Sequence, residues 1–289
     1  DERNMSPEEY AAYKLTSSNE YAGIGISVKQ NDSGDFEIFS VDSGTPAEAA
    51  GLTAGQLIVS VDGQPVADMT LSEMQELIRS KLNKDFPMVV SDKKGNEVSV
   101  TVACEIIYKD PVSSRMLDGN IGYIKIANFE AGSSEGTINA IERLAAEGAT
   151  SFIFDVRNNP GGYLSVMRSI LDRLLPEGIV ITTVDKAGNE TPYTSDADCL
   201  EMPMVVLTNE YSISAAEFFA AALQEYGVAD VVGQKTSGKG YSQQTFKLSD
   251  GSSVHISTTR YYTPKGNSLA EIGVTPDHLV EMPLEDIYR

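Results

Sequence analysis

Residues 203–227 read PMVVLTNEYSISAAEFFAAALQEYG, and this stretch decides the class of fold. Its first part, 203–208, is a short apolar run of the kind found in strands that are covered on both faces. Residues 215–224 follow as an apolar helical run, and Gly227 gives that helix a stop. The stretch therefore predicts a buried strand that turns directly into a helix.

The same strand-then-helix unit recurs in the second half of the chain. Residues 120–126 have the pattern of a strand and 134–148 that of a helix with one apolar face. Residues 151–156 (SFIFDV) form a nearly continuous apolar strand, and 165–175 form the helix after it. Repeated units of this kind predict an α/β core over residues 105–289.

The first third of the chain has a different pattern. Residues 1–20 are polar and predict an N-terminal helical segment, because Ser6 suits an N-cap and Pro7 the first helical position. Several short strands and two short helices are expected over residues 21–104. Residues 106–117, interrupted by Pro111, are expected to be a connector.

Composition and charge limit the classes of function. The 289 residues include 42 acidic and 22 basic ones, which gives a formal net charge of −20. A field of that sign repels phosphate backbones and anionic lipid head groups, so nucleic acid is not expected as a partner. No apolar run reaches the roughly 18 residues that span a bilayer. The chain starts at Asp1 without a Met, which keeps an upstream signal or membrane anchor open.

Cys104 and Cys199 are too few for a disulfide framework, and whether they are bridged stays open. No group of residues has the spacing of a metal site, so neither a metal nor another cofactor is expected.

Residues 21–104 resemble a PDZ domain of the bacterial, protease-associated kind. The matching stretches are Gly23-Ile24-Gly25-Ile26, residues 43–52 (SGTPAEAAGL) and residues 55–63 (GQLIVSVDG). The resemblance implies a small β-barrel with helices that binds a C-terminal peptide as an added strand. The peptide-binding residues would be Gly23, Ile24, Gly25 and Ile26. Gln56 stands where the family usually has Asp, and we expect it to shape a turn. A PDZ fold kept only as a regulatory spacer is the alternative.

Ser214 and Lys239 are candidates for a nucleophile and its base. Ser214 lies where a buried strand ends and a helix begins, beside the N–H of Ala215. A serine hydroxyl needs a base, and a lysine serves if burial lowers its pKa. Taken singly, an N-cap serine and a solvated loop lysine explain both residues. His255 and His278 keep a Ser-His-Asp triad open.

The turn Pro160-Gly161-Gly162 leads from a strand into a helix. Free N–H groups at a helix start can hold an anion, including one that exists only in a transition state. A plain strand-to-helix turn is the alternative.

These stretches together resemble the C-terminal processing (tail-specific) serine peptidases. The matching residues are 157–162 (RNNPGG), 209–217, 233–240 (GQKTSGKG), 260–264 (RYYTP) and 273–277 (GVTPD), in the order of the family. The separation of Ser214 and Lys239 is 239 − 214 = 25, as in the family. That spacing selects Ser214 over Ser212. The resemblance covers the chain from Tyr21 nearly to its end.

The resemblance implies a crotonase/ClpP-like peptidase core and an acyl-enzyme mechanism. Ser214 would be the nucleophile, Lys239 the general base and Gln243 the residue that orients the lysine. The N–H groups of Gly162 and Ala215 would form the oxyanion hole. Two residues depart from the family: Ala216 replaces a common serine, and Tyr211 stands in a place often held by glycine.

Two other functions stay open from the sequence. A retired peptidase core would leave a module that only binds C-terminal peptides. A small-molecule binder on the same core would leave the PDZ domain unexplained. For the peptidase, we expect protein or peptide C-termini as substrates and an extracytoplasmic, bacterial location. The sequence leaves the oligomeric state, the physiological substrate and the cleavage-site preference open.

Overall fold

The computed structural model describes residues 2–31 and 33–281. Within them the helices are α1 (Pro7–Ser17), α2 (Pro46–Ala49), α3 (Leu71–Arg79), α4 (Ser133–Ala146), α5 (Leu164–Leu174) and α6 (Ala215–Tyr226). The strands are β1 (Arg3–Met5), β2 (Glu20–Gly23), β3 (Ile26–Gln30), β4 (Phe36–Val41), β5 (Leu57–Val61), β6 (Gln64–Pro65), β7 (Lys84–Ser91), β8 (Glu97–Tyr108), β9 (Val112–Leu117), β10 (Ile121–Ile126), β11 (Ser151–Asp155), β12 (Gly178–Asp185), β13 (Glu190–Ser195), β14 (Met204–Thr208), β15 (Ala229–Gly233), β16 (Tyr241–Lys247), β17 (Ser253–Tyr262) and β18 (His278–Leu279).

The chain divides into two compact units. The larger unit comprises the described parts of Asp1–Asn19 and Asp110–Arg289, and the smaller unit is Glu20–Lys109. The N-terminal helix α1 therefore belongs with the second half of the chain, although it precedes the smaller unit in sequence. Strand β8 continues to Tyr108, past Cys104, the expected end of the small domain.

A mixed sheet forms the centre of the larger unit. Its strand order is β18-β15-β14-β11-β10-β9. Neighbouring strands are parallel except for β9, which pairs antiparallel with β10. The inner strands β11 and β14 bury Phe152, Phe154 and Val206 almost completely. Strands covered in this way read as continuous apolar runs, which is why the sequence predicted them.

Helices α4 and α6 pack on this sheet. Helix α4 contacts β9 and β10, and α6 contacts β15. Helices α5 and α6 also contact β12, which belongs to a second, antiparallel sheet with the order β1-β17-β12-β13 and with β16 paired to β17. Residues 215–223 of α6 are all buried. A helix that is apolar all round is expected to be buried on every side, as α6 is.

The connector prediction for residues 106–117 was wrong. Strand β8 extends to Tyr108, and Val112–Leu117 forms β9, which pairs with the whole of β10. Only one neighbour covers β9 in the sheet, and Ser113 is exposed. An edge strand with polar side chains lacks the apolar run by which strands are predicted from sequence.

The smaller unit is an antiparallel sheet with short helices. Its strand order is β2-β8-β7-β5-β4-β3, with β6 paired to β5. Its core is separate from that of the larger unit and includes the fully buried Ile38, Met74 and Met88. Helix α3 begins with a capping box, in which Thr70 and Glu73 exchange hydrogen bonds. Both cysteines are free thiols. Among the described helices, none is long and apolar enough to cross a membrane.

Candidate active site

Four loops of the larger unit meet beyond the carboxyl ends of its parallel strands. They follow β10, β11, β14 and β15 and carry, in that order, Glu130, Gly162, Ser214 and Lys239. Backbone hydrogen bonds join neighbouring loops: Phe129 N–H to Gly161 O at 2.7 Å, Ile213 N–H to Asn159 O at 2.9 Å, and Ser237 N–H to Ser212 O at 3.3 Å. Ligands of α/β sheets bind at this edge, because the loops there converge from several strands.

Ser214 adopts a backbone conformation that is rare for a residue with a side chain. Its φ is 57° and its ψ is −117°, at the junction between β14 and α6. A positive φ costs energy for any residue but glycine and persists only where the surroundings enforce it. Here the Ser214 N–H donates to Glu217 Oε2 at 2.8 Å, and the Glu217 N–H donates to the Ser214 carbonyl at 2.9 Å. These two bonds hold the strained turn.

Glu217 is fully buried, and its carboxylate joins the Ser214 turn to the loop of Lys239. Besides the Ser214 N–H, it accepts the N–H of Gly238 at 2.6 Å and the N–H of Lys239 at 2.9 Å. The hydroxyl of Thr236 donates to Oε1 at 2.7 Å. A buried carboxylate that accepts this many donors is stabilised where it lies and fixes the groups around it. Glu217 therefore positions both candidate residues.

Glu217 was not among the site residues predicted from the sequence. Its signal was the spacing Ser214-Ala215-Ala216-Glu217, which matches the S-x-x-E pattern of a capping box. That pattern predicts the bond from Glu217 back to the Ser214 N–H. It does not predict the bonds to residues 236–239, because these depend on how the chain returns after β15.

Lys239 lies between two glycines that the fold requires. A Cβ on Gly240 would lie 2.5 Å from the Ala270 nitrogen, and Gly238 has a φ of +88°. Residue 270 approaches this loop so closely that only glycine, which has no Cβ, fits at position 240. Burial lowers the pKa of the Lys239 amine, and the nearby negative charge of Glu217 opposes that shift in part. The lower pKa increases the neutral fraction that a general base requires.

Gln243 accepts a hydrogen bond from Lys239 Nζ at 3.2 Å. It lies on β16 beside a bulge, where the pairing with β17 shifts register between Ser242 and Gln243. A bulge re-aims a side chain relative to the regular strand. The prediction that Gln243 contacts the lysine therefore agrees with the geometry, while the segment itself is a strand that the sequence analysis did not identify.

Neither histidine has the surroundings of a triad member. His255 Nε2 contacts Gln243 Oε1 at 3.1 Å, and Nδ1 contacts the Thr245 hydroxyl at 2.7 Å. An amide oxygen only accepts, so Nε2 carries the proton and Nδ1 accepts from Thr245 in the neutral ring. Burial, followed by the charges of Arg3 and Lys239, lowers the pKa of His255 and favours that neutral ring. His278 is exposed and lies near Asp230.

Two N–H groups near Ser214 have no acceptor in residues 2–31 and 33–281: those of Gly162 and Ala215. Gly162 pairs with Phe129 as in a parallel sheet, but the two hydrogen bonds are made by the Gly161 carbonyl and the Tyr163 N–H. The N–H of Gly162 is therefore not used. A Cβ on Gly161 would lie 2.9 Å from Ser214 Cβ and 3.2 Å from the Ala215 nitrogen. The glycine turn thus packs directly against the Ser214 turn. Two free donors on turns that pack against each other suit an oxyanion.

The glycine turn is held by buried polar groups. Asn159 accepts the N–H of Gly161 at 2.8 Å and donates to the carbonyl of Ile126 at 2.9 Å. Before the turn, Arg157 donates twice through its guanidinium to Asp155, at 2.9 and 2.6 Å. Burial alone would raise the pKa of Asp155, but the bonds from Arg157 and Tyr123 outweigh it and hold the pKa below its ordinary value.

All five core residues of the predicted site lie along one cleft or next to it. The cleft has a volume of about 440 Å³ and is lined by Gly162, Ser214, Lys239 and Gln243, with Ala215 following Ser214 at the start of α6. His255, Glu130 and four tyrosines complete much of its wall. Both departures from the family pattern lie close by in sequence: Ala216 is buried, and Tyr211 is exposed. The described residues contain no cluster of His, Cys, Asp and Glu suited to a metal ion.

A separate groove in the smaller unit contains the four predicted peptide-binding residues. Gly23, Ile24, Gly25 and Ile26 line it together with residues of α3, including Met74, and its volume is about 110 Å³. Strand β3, which begins at Ile26, is the last strand of its sheet. Gln56 shapes a turn as expected, because its Oε1 accepts the Thr53 N–H at 2.8 Å.

Comparisons with known proteins agree with this architecture. Residues 120–280 match the model of peptidase family S41, and residues 37–91 match a PDZ domain. A carboxyl-terminal-processing protease of Synechocystis sp. is 33% identical over 290 residues, which cover 98% of this chain and 68% of that protein. The carboxy-terminal processing protease CtpA of Bacillus subtilis is 31% identical over 281 residues, covering 96% of this chain and 60% of that protein.

A solved structure of a photosystem II D1 C-terminal processing protease is also similar. It has a TM-score of 0.60 and 27% identity, and the match covers 97% of this chain and 78% of that one. The predicted fold, an α/β peptidase core with a PDZ domain, is confirmed. The chain therefore belongs to peptidase family S41, and it is a serine-type peptidase with a PDZ domain.

Proposed function

We propose that this protein is an endopeptidase that cleaves proteins or peptides near their C-terminal tails, with Ser214 as nucleophile and Lys239 as general base. The names of its relatives support the class of reaction. One observation carries the assignment of residues. The buried carboxylate of Glu217 accepts the N–H groups of both Ser214 and Lys239, so the two segments are held together at one cleft.

The chemistry follows from these groups. Neutral Lys239 takes the proton of the Ser214 hydroxyl, and the oxygen attacks the scissile carbonyl. The N–H groups of Gly162 and Ala215 stabilise the charge on the carbonyl oxygen. Lys239, now protonated, gives its proton to the leaving amine, and water then hydrolyses the ester on Ser214. Gln243 accepts an N–H of Lys239 and keeps the amine oriented through these steps.

Substitution of the two residues tests this mechanism. Ser214→Ala and Lys239→Met should each lower kcat for peptide cleavage by about a thousandfold or more, because either change removes a group that acts in the transition state. Lys235→Met is the matched control, since Lys235 is an exposed lysine of the same loop. Thermal unfolding of each variant would show that the fold is kept. Substantial cleavage by either active-site variant would contradict the assignment.

A retired core that only binds peptides is not favoured. Such a core has no need of a serine in a strained turn or of a lysine whose pKa is lowered by burial. An extracytoplasmic location, an upstream membrane anchor and the oligomeric state stay predictions. Cell fractionation and light scattering would test them.

We also propose that the groove of the smaller unit recognises the C-terminal carboxylate of the substrate. Strand β3 has a free edge on which a peptide could add as a further strand. Within the described residues, the N–H groups of Ile24 and Gly25 have no acceptor, and such groups suit a carboxylate. Gly25 has a φ of +88°, and a Cβ there would lie 2.3 Å from Thr45, so only glycine gives this backbone.

Binding of matched peptides tests the carboxylate site. The Ser214→Ala protein, which should not cleave, would be titrated with a fluorescent peptide that ends in a free carboxylate and with the same peptide ending in an amide. We expect the amide to bind about tenfold more weakly or worse, the size of a lost charge-assisted hydrogen bond. Equal affinities would contradict recognition of the carboxylate.

A further inference from the structure

Glu130 has a carboxyl group that the proposed mechanism does not use. It lies in the loop after β10, next to Phe129, whose backbone is bonded to the glycine turn. Its own backbone is fully bonded, because its N–H donates to Asn128 Oδ1 at 3.0 Å and its carbonyl accepts the Ser133 N–H at 3.2 Å. The backbone that carries this side chain is therefore held at the wall of the cleft.

One carboxyl oxygen of the half-buried Glu130 has no partner. Its Oε2 is inaccessible to solvent and makes no hydrogen bond to any described residue. Burial raises the pKa of Glu130 to about 7. A buried carboxylate without a partner is costly, and such groups are found paired in most proteins. Because Glu130 lines the cleft, a cationic group that enters the cleft can supply this partner.

The cleft around Glu130 suits a cationic side chain. Tyr13, Tyr163, Tyr241 and Tyr261 line the same cavity and offer aromatic faces along which an aliphatic stem and a positive charge can lie. The amine of Lys239 in the same cleft donates to Gln243, and the carboxylate that acts on its pKa is Glu217. The net charge of −20 also attracts cationic peptides to the protein.

We propose that Glu130 forms a subsite for a lysine or arginine side chain of the substrate, at a position beside the scissile bond. The inference rests on the proposed peptidase function and deepens it by naming a substrate class. When the peptide is bound, the ammonium or guanidinium group donates to the Glu130 carboxylate from the cleft that Glu130 lines. That contact supplies the ionised carboxylate with the partner that it lacks among the described residues.

Three matched peptides test this subsite. The three peptides differ at one position, which holds lysine, norleucine or glutamate, and all end in an amide. The set is repeated with that position placed in turn at each residue that flanks the cleavage site. Norleucine keeps the stem of lysine without its charge. At one position we expect kcat/KM for the lysine peptide to exceed that for the norleucine peptide by about ten- to a hundredfold, the size of a charge-assisted hydrogen bond.

For each variant, kcat/KM of the lysine peptide is divided by kcat/KM of the norleucine peptide. A general loss of activity lowers both values and cancels in this ratio. Glu130→Gln should bring that ratio close to one, and Glu130→Lys should reverse the preference towards glutamate. Glu142→Gln, which removes an exposed carboxylate of α4, should leave the ratio unchanged. A ratio in Glu130→Gln equal to that of the unmodified protein would overturn the proposal.

Peptide affinities separate this proposal from the catalytic one. Titration calorimetry of the Ser214→Ala protein should show tighter binding of the lysine peptide than of the norleucine peptide, and Glu130→Gln in that protein should remove the difference. Cleavage by Ser214→Ala would contradict the proposed mechanism but not the subsite. Equal affinities of the lysine and norleucine peptides would contradict the subsite but not the mechanism.

Discussion

At the scale of single residues, the carboxylate of Glu217 accepts hydrogen bonds from both halves of the proposed dyad. An amide in its place has one oxygen and one NH₂ group, and the NH₂ group would face N–H donors. We expect Glu217→Gln to lower stability by about 2 kcal/mol, the cost of leaving buried donors unpaired. We also expect kcat to fall more than KM changes, because the dyad loses its alignment.

A second carboxylate of α6 gives the matched control for Glu217. Glu225 accepts bonds from Thr263 and from residues 265 and 267, so Glu225→Gln should also lower stability. It has no bond to the loop of Lys239 in the described structure. Kinetics and thermal unfolding of both variants would separate positioning from stability. An equal loss of kcat in the two variants would contradict a positioning role for Glu217.

The pKa of Glu130 predicts a pH-dependent stability. Burial raises that pKa from 4.5 to about 7, so the folded protein holds the proton more tightly than the unfolded chain. The stabilising contribution is then complete below about pH 4.5 and is lost as the pH rises through about 7. Glu130→Gln, which cannot ionise, should have a Tm similar to that of the unmodified protein near pH 4.5 and a higher Tm near pH 8. A difference in Tm that does not change with pH would argue against burial of this carboxyl.

At the scale of elements, the loop of Lys239 depends on the small size of Gly240. An alanine there would put a Cβ 2.5 Å from the Ala270 nitrogen, which is backbone and cannot rotate away. We expect Gly240→Ala to shift the loop and lower kcat by about a hundredfold, since a displacement of about 1 Å can cost that much. Gly34→Ala is the control, because its Cβ would meet nothing within 4 Å and only its positive φ is disfavoured. Equal activity of the two variants would contradict the packing role of Gly240.

The elements also show what a sequence can and cannot reveal. Strands β11 and β14 were predicted because both faces are covered and their residues are apolar. The edge strand β9 was missed because three consecutive polar residues, 113–115, interrupt its apolar run. Ser214 and Lys239 could be proposed from spacing and resemblance. Glu217 and Glu130 could not, because their roles depend on contacts between loops that are distant in sequence.

At the scale of the whole molecule, the formal charge of −20 should influence association with substrate. A negative field attracts cationic peptides over distances that salt shortens to about 10 Å at 0.1 M. We expect kcat/KM for a lysine-containing peptide to fall severalfold between low salt and about 0.5 M salt. The matched norleucine peptide should change much less. Equal salt dependence of the two peptides would argue against steering by the net charge.

The central claim is that Ser214 is a nucleophile activated by Lys239. Reaction with a fluorophosphonate, followed by intact-protein and peptide mass spectrometry, tests it most directly, because the reagent leaves a stable ester on an activated serine. We predict one adduct, on Ser214, in the unmodified protein and in Lys235→Met, and labelling slowed by about a hundredfold or more in Lys239→Met. An adduct on Ser212, or labelling of Ser214 at full rate without Lys239, would contradict the claim.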